Sequence, residues 1–166
     1  MLQKRRGTAA GILIGKKQYI MGLFDIFKRM PPPIDEVFGE MKPLMGVFIT
    51  CESFFLPLQK NIEVLIMSTE SIPTEEQRNF YTELQKNYSG YKVQMIPIIE
   101  DTFRNADENF KIKDFDNEFN LVTIIVPDFL KRPLEWHISY ENELDPNHVF
   151  SVGFFDYKPS HIQIDG

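Results

Sequence analysis

Cysteine occurs once in 166 residues, at Cys51, so the chain can form no intrachain disulfide and offers none of the paired-cysteine spacings that hold structural zinc. That usage fits a reducing, cytoplasmic setting. No run approaches the roughly 20 apolar residues that a membrane-spanning helix needs. The mild apolar stretch over residues 7–15 is short and is closed by Lys16-Lys17 instead of a small-residue cleavage site, so it does not read as a secretory signal. A glycine-rich phosphate loop, a nucleophile elbow and a helix with paired histidines are all missing. No catalytic motif is recognisable, and no cofactor is expected.

What is present belongs to a folded protein. Hydrophobic residues make up 43% of the chain, and 15 Phe, 6 Tyr and one Trp supply far more apolar surface than a disordered chain carries. The length suits a single domain. The net charge of −6 is unevenly spread. Residues 1–20 hold Lys4, Arg5, Arg6, Lys16 and Lys17 and no acid, whereas 13 basic residues face 24 acidic ones from Met21 onward. A body of that sign repels phosphate backbones, which argues against nucleic acid and favours a basic protein as partner.

The chain divides near its start. Met21-Gly-Leu-Phe-Asp-Ile-Phe-Lys reads as a natural protein start, and residues 1–20 read as a disordered basic arm or as sequence ahead of the true start. An arm that touches membrane or nucleic acid is the functional alternative. Pro31-Pro32-Pro33 stops any helix and stiffens a short linker. Residues 1–33 are thus expected to be arm, short apolar segment and linker, and 34–166 a single domain.

Within that domain, aromatic and β-branched residues between Met41 and Ser68 predict two strands that turn near Lys60-Asn61. Thr74 followed by Gln77 is a capping-box pattern, and Phe80, Leu84 and Tyr88 recur at four-residue spacing before Gly90, which predicts a helix ending there. Tyr91 to Ala106 favours a second helix with Pro97 in its first turn, although residues 91–96 also suit a strand. A polar, acidic loop is expected from Asp107 to Glu118. Leu121-Val-Thr-Ile-Ile-Val reads as a central strand buried on both faces. Trp136, Ile138 and Tyr140 alternate with wet positions, as do Phe150, Val152 and Phe154, and Ile162 and Ile164 follow a turn at Lys158-Pro-Ser160. These last three strands should pair as a meander. The order predicts an α+β fold: about six antiparallel strands with a central pair of helices on one face. Trp136 should be buried by those helices, against residues such as Phe80, Leu84 or Phe103.

Three candidate chemistries can be weighed. His137, His148 and His161 all fall in the C-terminal sheet, and three histidines suffice for a catalytic zinc with an open position, but no short ligand spacing joins them. Asp114, Asp116 and Glu118 alternate like the start of a calcium loop, yet Phe119 stands where the turn glycine belongs. Cys51 has no nucleophile signature around it and reads as a small buried hydrophobe. The acidic stretches remain, with Asp114, Asp116, Glu118, Glu141, Glu143 and Asp145 as candidate contacts to a basic partner.

The segments Phe38-Gly-Glu-Met, Asn61-Ile-Glu-Val-Leu-Ile, Pro73-Thr-Glu-Glu-Gln, Pro133-Leu-Glu-Trp-His-Ile-Ser, Asp145-Pro-Asn-His-Val-Phe and Ile162-Gln-Ile-Asp-Gly resemble small bacterial proteins of unknown function. Some of those look like neighbours of toxin and immunity genes. The resemblance spans residues 34–166 and carries no catalytic residue with it. It implies a bacterial cytosolic domain, of immunity or inhibitor type. The expectation is a non-catalytic, acidic protein-binding domain. A metal-dependent hydrolase built on the three histidines is the alternative, and so is a homo-oligomeric structural protein, since 22 aromatics could exceed what one core hides.

Overall fold

A computed structural model describes residues 31–68, 72–143 and 145–166. The expectations about a basic arm and a start at Met21 fall on residues outside these. Residues 32–166 form one compact unit. Pro33 belongs to that unit, because its carbonyl accepts the Met41 N–H at 2.9 Å.

The elements run β1 (Ile34–Asp35), β2 (Gly39–Leu44), β3 (Phe48–Phe55), a 3-10 turn (Leu56–Leu58), β4 (Lys60–Met67), α1 (Glu75–Phe103), α2 (Phe115–Glu118), β5 (Phe119–Val126), β6 (Glu135–Asn142), β7 (Asp145–Phe155) and β8 (Lys158–Asp165). Among the described residues eight strands lie in one sheet in the order of the chain, and every neighbouring pair is antiparallel except the central β4 and β5, which run parallel. Two meanders are therefore joined edge to edge by the crossover that α1 provides. The α+β class stands. The sheet has eight strands instead of about six, it is mixed instead of antiparallel, and one long helix covers it instead of a pair.

The helix expectation erred at Gly90 and Pro97, both of which lie inside α1. The apolar stripe continues through them without a phase slip: Tyr81, Leu84, Tyr88, Met95 and Ile99 are all buried. Proline in a helix interior costs about 3 kcal/mol because it lacks an N–H and crowds the carbonyl four residues back. Here Pro97 is exposed and so is Val93, so water can satisfy the carbonyl left unpaired. Each fully buried Leu, Met or Ile side chain stabilises by about 1.5–3 kcal/mol, and the stripe outweighs both breakers.

Gln77 sets where α1 begins. Its Oε1 accepts the Thr74 N–H at 3.0 Å while its own N–H reaches the Thr74 hydroxyl at 3.3 Å, which completes the capping box. Its Nε2 donates to the carbonyls of Met67 at 2.7 Å and Pro127 at 2.9 Å. One buried amide thus ties the helix start to the ends of both parallel strands. Arg78 then bonds Asp35 at 2.8 Å and anchors β1 to the same helix.

The core lies between α1 and one face of the sheet. Trp136 is fully buried at its centre, stacked on Phe154 at 3.9 Å, with Phe80 and Tyr91 edge-on at 5.0 and 5.4 Å. Its indole N–H donates to the Asp156 carbonyl. Burial against the helix agrees with the alternation of β6, with Phe80 as a partner. Farther along α1, the buried hydroxyls of Tyr88 and Tyr140 meet at 3.1 Å. Cys51 is buried on this face too, and desolvation pushes its thiol up to about 12, so it packs as a hydrophobe. Most of the described aromatics lie in this core or at its margin; Phe48 is half-buried on the other side of β3, and Phe54, Phe155 and Tyr157 are exposed.

Candidate functional site

With α1 on one face, the strand positions of opposite parity form an open face. Across β3, β4 and β5 it carries Thr50, Glu52, Asn61, Glu63 and Thr123, which line or border a groove of about 780 Å³ together with Glu40, Lys42 and Lys60. Most of these groups are paired with one another. Glu63 accepts from Thr50 at 3.1 Å and from Thr123 at 3.3 Å, Asn61 donates to Glu52 at 2.9 Å, and Lys42 lies 3.4 Å from Glu40. Three carboxylates and two ammonium groups nearly balance, so the groove has no strong charge preference. The strand reading had missed it; the signal was the alternation of Thr50 and Glu52 with buried Cys51 and Ser53.

Farther along the open face the strand register brings two histidines together. His137 on β6 and His161 on β8 both pair with Gly153 on the intervening β7, and their rings are 5.8 Å apart and nearly perpendicular. Burial, and then the neighbouring His161, push the His137 imidazole below its ordinary pKa, against weaker opposing pulls from Glu135 and Asp165. The Ser160 hydroxyl donates to the Gly153 carbonyl at 3.1 Å and lies 2.7 Å from His161 Nδ1. His148 lies near the opposite end of β7, paired with Asp145 at 2.7 Å. The three-histidine centre is therefore not assembled. Among the described residues no group of three or more His, Cys, Asp or Glu is arranged to hold a metal ion.

The six acidic candidates share one end of the molecule, but they are not equivalent. Asp114 caps α2 by accepting from the Asn117 N–H at 3.4 Å and its side-chain amide at 2.7 Å. Asp116 forms an ion pair with Lys92 at 2.6 Å, and Asp145 holds His148. Of the carboxylates that resembled a calcium-loop start, Asp114 holds Asn117, Asp116 holds Lys92 and Glu118 holds backbone N–H groups, so among the described residues they are not gathered around one point. Glu118, Glu141 and Glu143 instead line one cleft of about 420 Å³ between α2 and the β6–β7 hairpin, with Asn117, Asn120 and Pro146. Glu118 accepts the backbone N–H groups of Lys113 and Asp114, both at 2.8 Å, which places one oxygen. Glu141 accepts from Asn120 at 3.1 Å, whose own oxygen is held by Lys60. Among the described residues none of the three forms an ion pair. A second hollow alongside shares Glu118 and Glu143 and adds Lys111 and Lys113, of which Lys111 is bound to Glu100 at 2.6 Å.

Among the described residues no helix is long and apolar enough to cross a membrane. No protein-family model matches the chain, and no curated protein or solved structure is significantly similar to it.

Proposed function

We propose that the protein is a non-catalytic binding domain whose partner is a basic protein, received at the cleft of Glu118, Glu141 and Glu143. The observation that carries this reading is the contrast between those three carboxylates, which share a cleft and form no ion pair, and their neighbours Asp114, Asp116 and Asp145, which are already engaged. Three carboxylates lining one cleft favour a cationic side chain entering it, in addition to the coulombic attraction that Glu141 already shares with Lys60. The net charge of the chain from Met21 onward extends the attraction beyond the contact and speeds encounter. Within this class, an inhibitor of a basic bacterial protein is the reading that the resemblance to toxin-neighbour proteins favours.

The test is capture of binding proteins from an extract of the native cells on the immobilised full chain, at two salt concentrations, beside a Glu141→Gln/Glu143→Gln variant. Both residues sit at the exposed rim, and neither caps backbone, so the variant should fold. A basic protein retained at low salt, released as salt rises and absent from the variant supports the proposal. Equal retention by the variant refutes it.

A further inference from the structure

At the other end of the strands, on the helix side, a smaller hollow of about 270 Å³ lies between α1 and the loops that follow β5 and β7. Glu76, Phe80, Glu83 and Tyr91 reach it from one face of α1, and Phe129 and Tyr157 close it from the loops. Phe80 forms the floor, with ring centroids 5.8 Å from Phe129 and 6.4 Å from Tyr157. Trp136, fully buried, packs edge-on against both Phe80 and Tyr91. Tyr157 is 53% exposed, so its ring is available at the mouth.

Three properties of this hollow name its occupant. Its volume falls below that of pockets for nucleotides or drug-sized ligands and suits one long side chain. Four aromatic rings line it, Phe80, Tyr91, Phe129 and Tyr157, and aromatic π-systems attract cations. Its lining includes two carboxylates and no lysine or arginine, and Glu76, although also bonded to Thr74 at the helix start, is exposed and so free to exchange. Glu83 does hold Lys86 at 2.7 Å, but both groups are more than half exposed, and such pairs exchange at little cost.

We propose that this hollow seats an arginine side chain of a partner protein. The planar guanidinium stacks on Tyr157 and Phe129 while its edge donates to Glu76 or Glu83, a combination of stacking and forked donation that a lysine ammonium cannot make. The site is separate from the acidic cleft, at the opposite end of β7, and it stands or falls without it.

The experiment is a titration of the 15N-labelled full chain with acetyl-Gly-Arg-Gly-amide, with the lysine peptide and the neutral, nearly isosteric citrulline peptide alongside. Saturable shifts at the amides of Glu83, Phe129 and Tyr157 are expected from the arginine peptide, with affinity about tenfold weaker or worse for citrulline. Tyr157→Ala should abolish them, and Glu83→Gln, at an exposed helix position, should weaken them without changing the rest of the spectrum. Equal response to citrulline, saturation confined to the Glu141 and Glu143 cleft, or no saturation by any peptide overturns the proposal. So does a response to phosphatidylcholine vesicles in place of the arginine peptide, which would make the aromatic hollow a lipid contact.

Discussion

The imidazole of His161 occupies the space directly over Gly153, where any other residue would carry its Cβ. A methyl group built there would collide with Cε1 of the ring and come within 2.5 Å of Nε2. Glycine at this point of β7 is what lets a β8 side chain lie across the open face toward His137. Gly153→Ala should therefore cost about 1–3 kcal/mol through overpacking. In a His161→Ala background the obstacle is gone, and the same substitution should cost well under about 1 kcal/mol, so the two changes are strongly coupled. Urea unfolding of the four proteins of this cycle measures it. Additive costs would place the strain in the backbone of β7 instead of the ring.

The same pair makes stability depend on pH. His137 has its folded pKa below the ordinary 6.5, chiefly from burial and then from His161, while Glu135 on its own strand and Asp165 on β8 pull the other way. No charged group faces it from β5 or β7, whose nearest positions are Ile125 and Gly153. In the unfolded chain the imidazole takes up a proton near pH 6.5, but in the folded chain it does so only at lower pH. The unfolded state binds more protons across that interval, so acidification destabilises the fold from about pH 6.5 downward until the folded value is passed. The urea midpoint should fall between pH 7.5 and pH 5.5, and His137→Gln should shrink that fall. An unchanged pH profile in the variant would assign the effect to another group.

Local patterns were legible in the sequence, and long-range geometry was not. The alternation of Trp136, Ile138 and Tyr140 showed which face of β6 is covered, and the Thr74–Gln77 box located the start of α1, because both signals depend on neighbours in the chain. Nothing local announces that β4 pairs in parallel with β5, since 51 residues separate the end of one from the start of the other. β1 and β2 escaped notice because the first has two residues and the second contains Pro43. The meeting of His137 and His161 depends on the register of three strands and on Gly153 between them. The acidic candidates were chosen by segment, and only their hydrogen bonds and ion pairs separate Glu118, Glu141 and Glu143 from carboxylates already engaged.

Gly90 tests the single long helix by the sign of one substitution. If the helix ended there in a left-handed cap, alanine would be strained and Gly90→Ala would destabilise the protein. In the structure Gly90 is in the helix interior, exposed, without a positive φ, and nothing lies within 4 Å of the position its Cβ would take. Alanine then meets no obstacle, restricts the unfolded backbone and should stabilise by about 0.5–1 kcal/mol. Pro97 supplies the complementary case, because replacing it with alanine restores an N–H to the carbonyl of Val93 and should stabilise as well. The gain should reach at most the roughly 3 kcal/mol that proline costs in a helix interior. Thermal unfolding of both variants decides between one helix and two: a lowered midpoint for Gly90→Ala would restore the cap at residue 90 and divide α1.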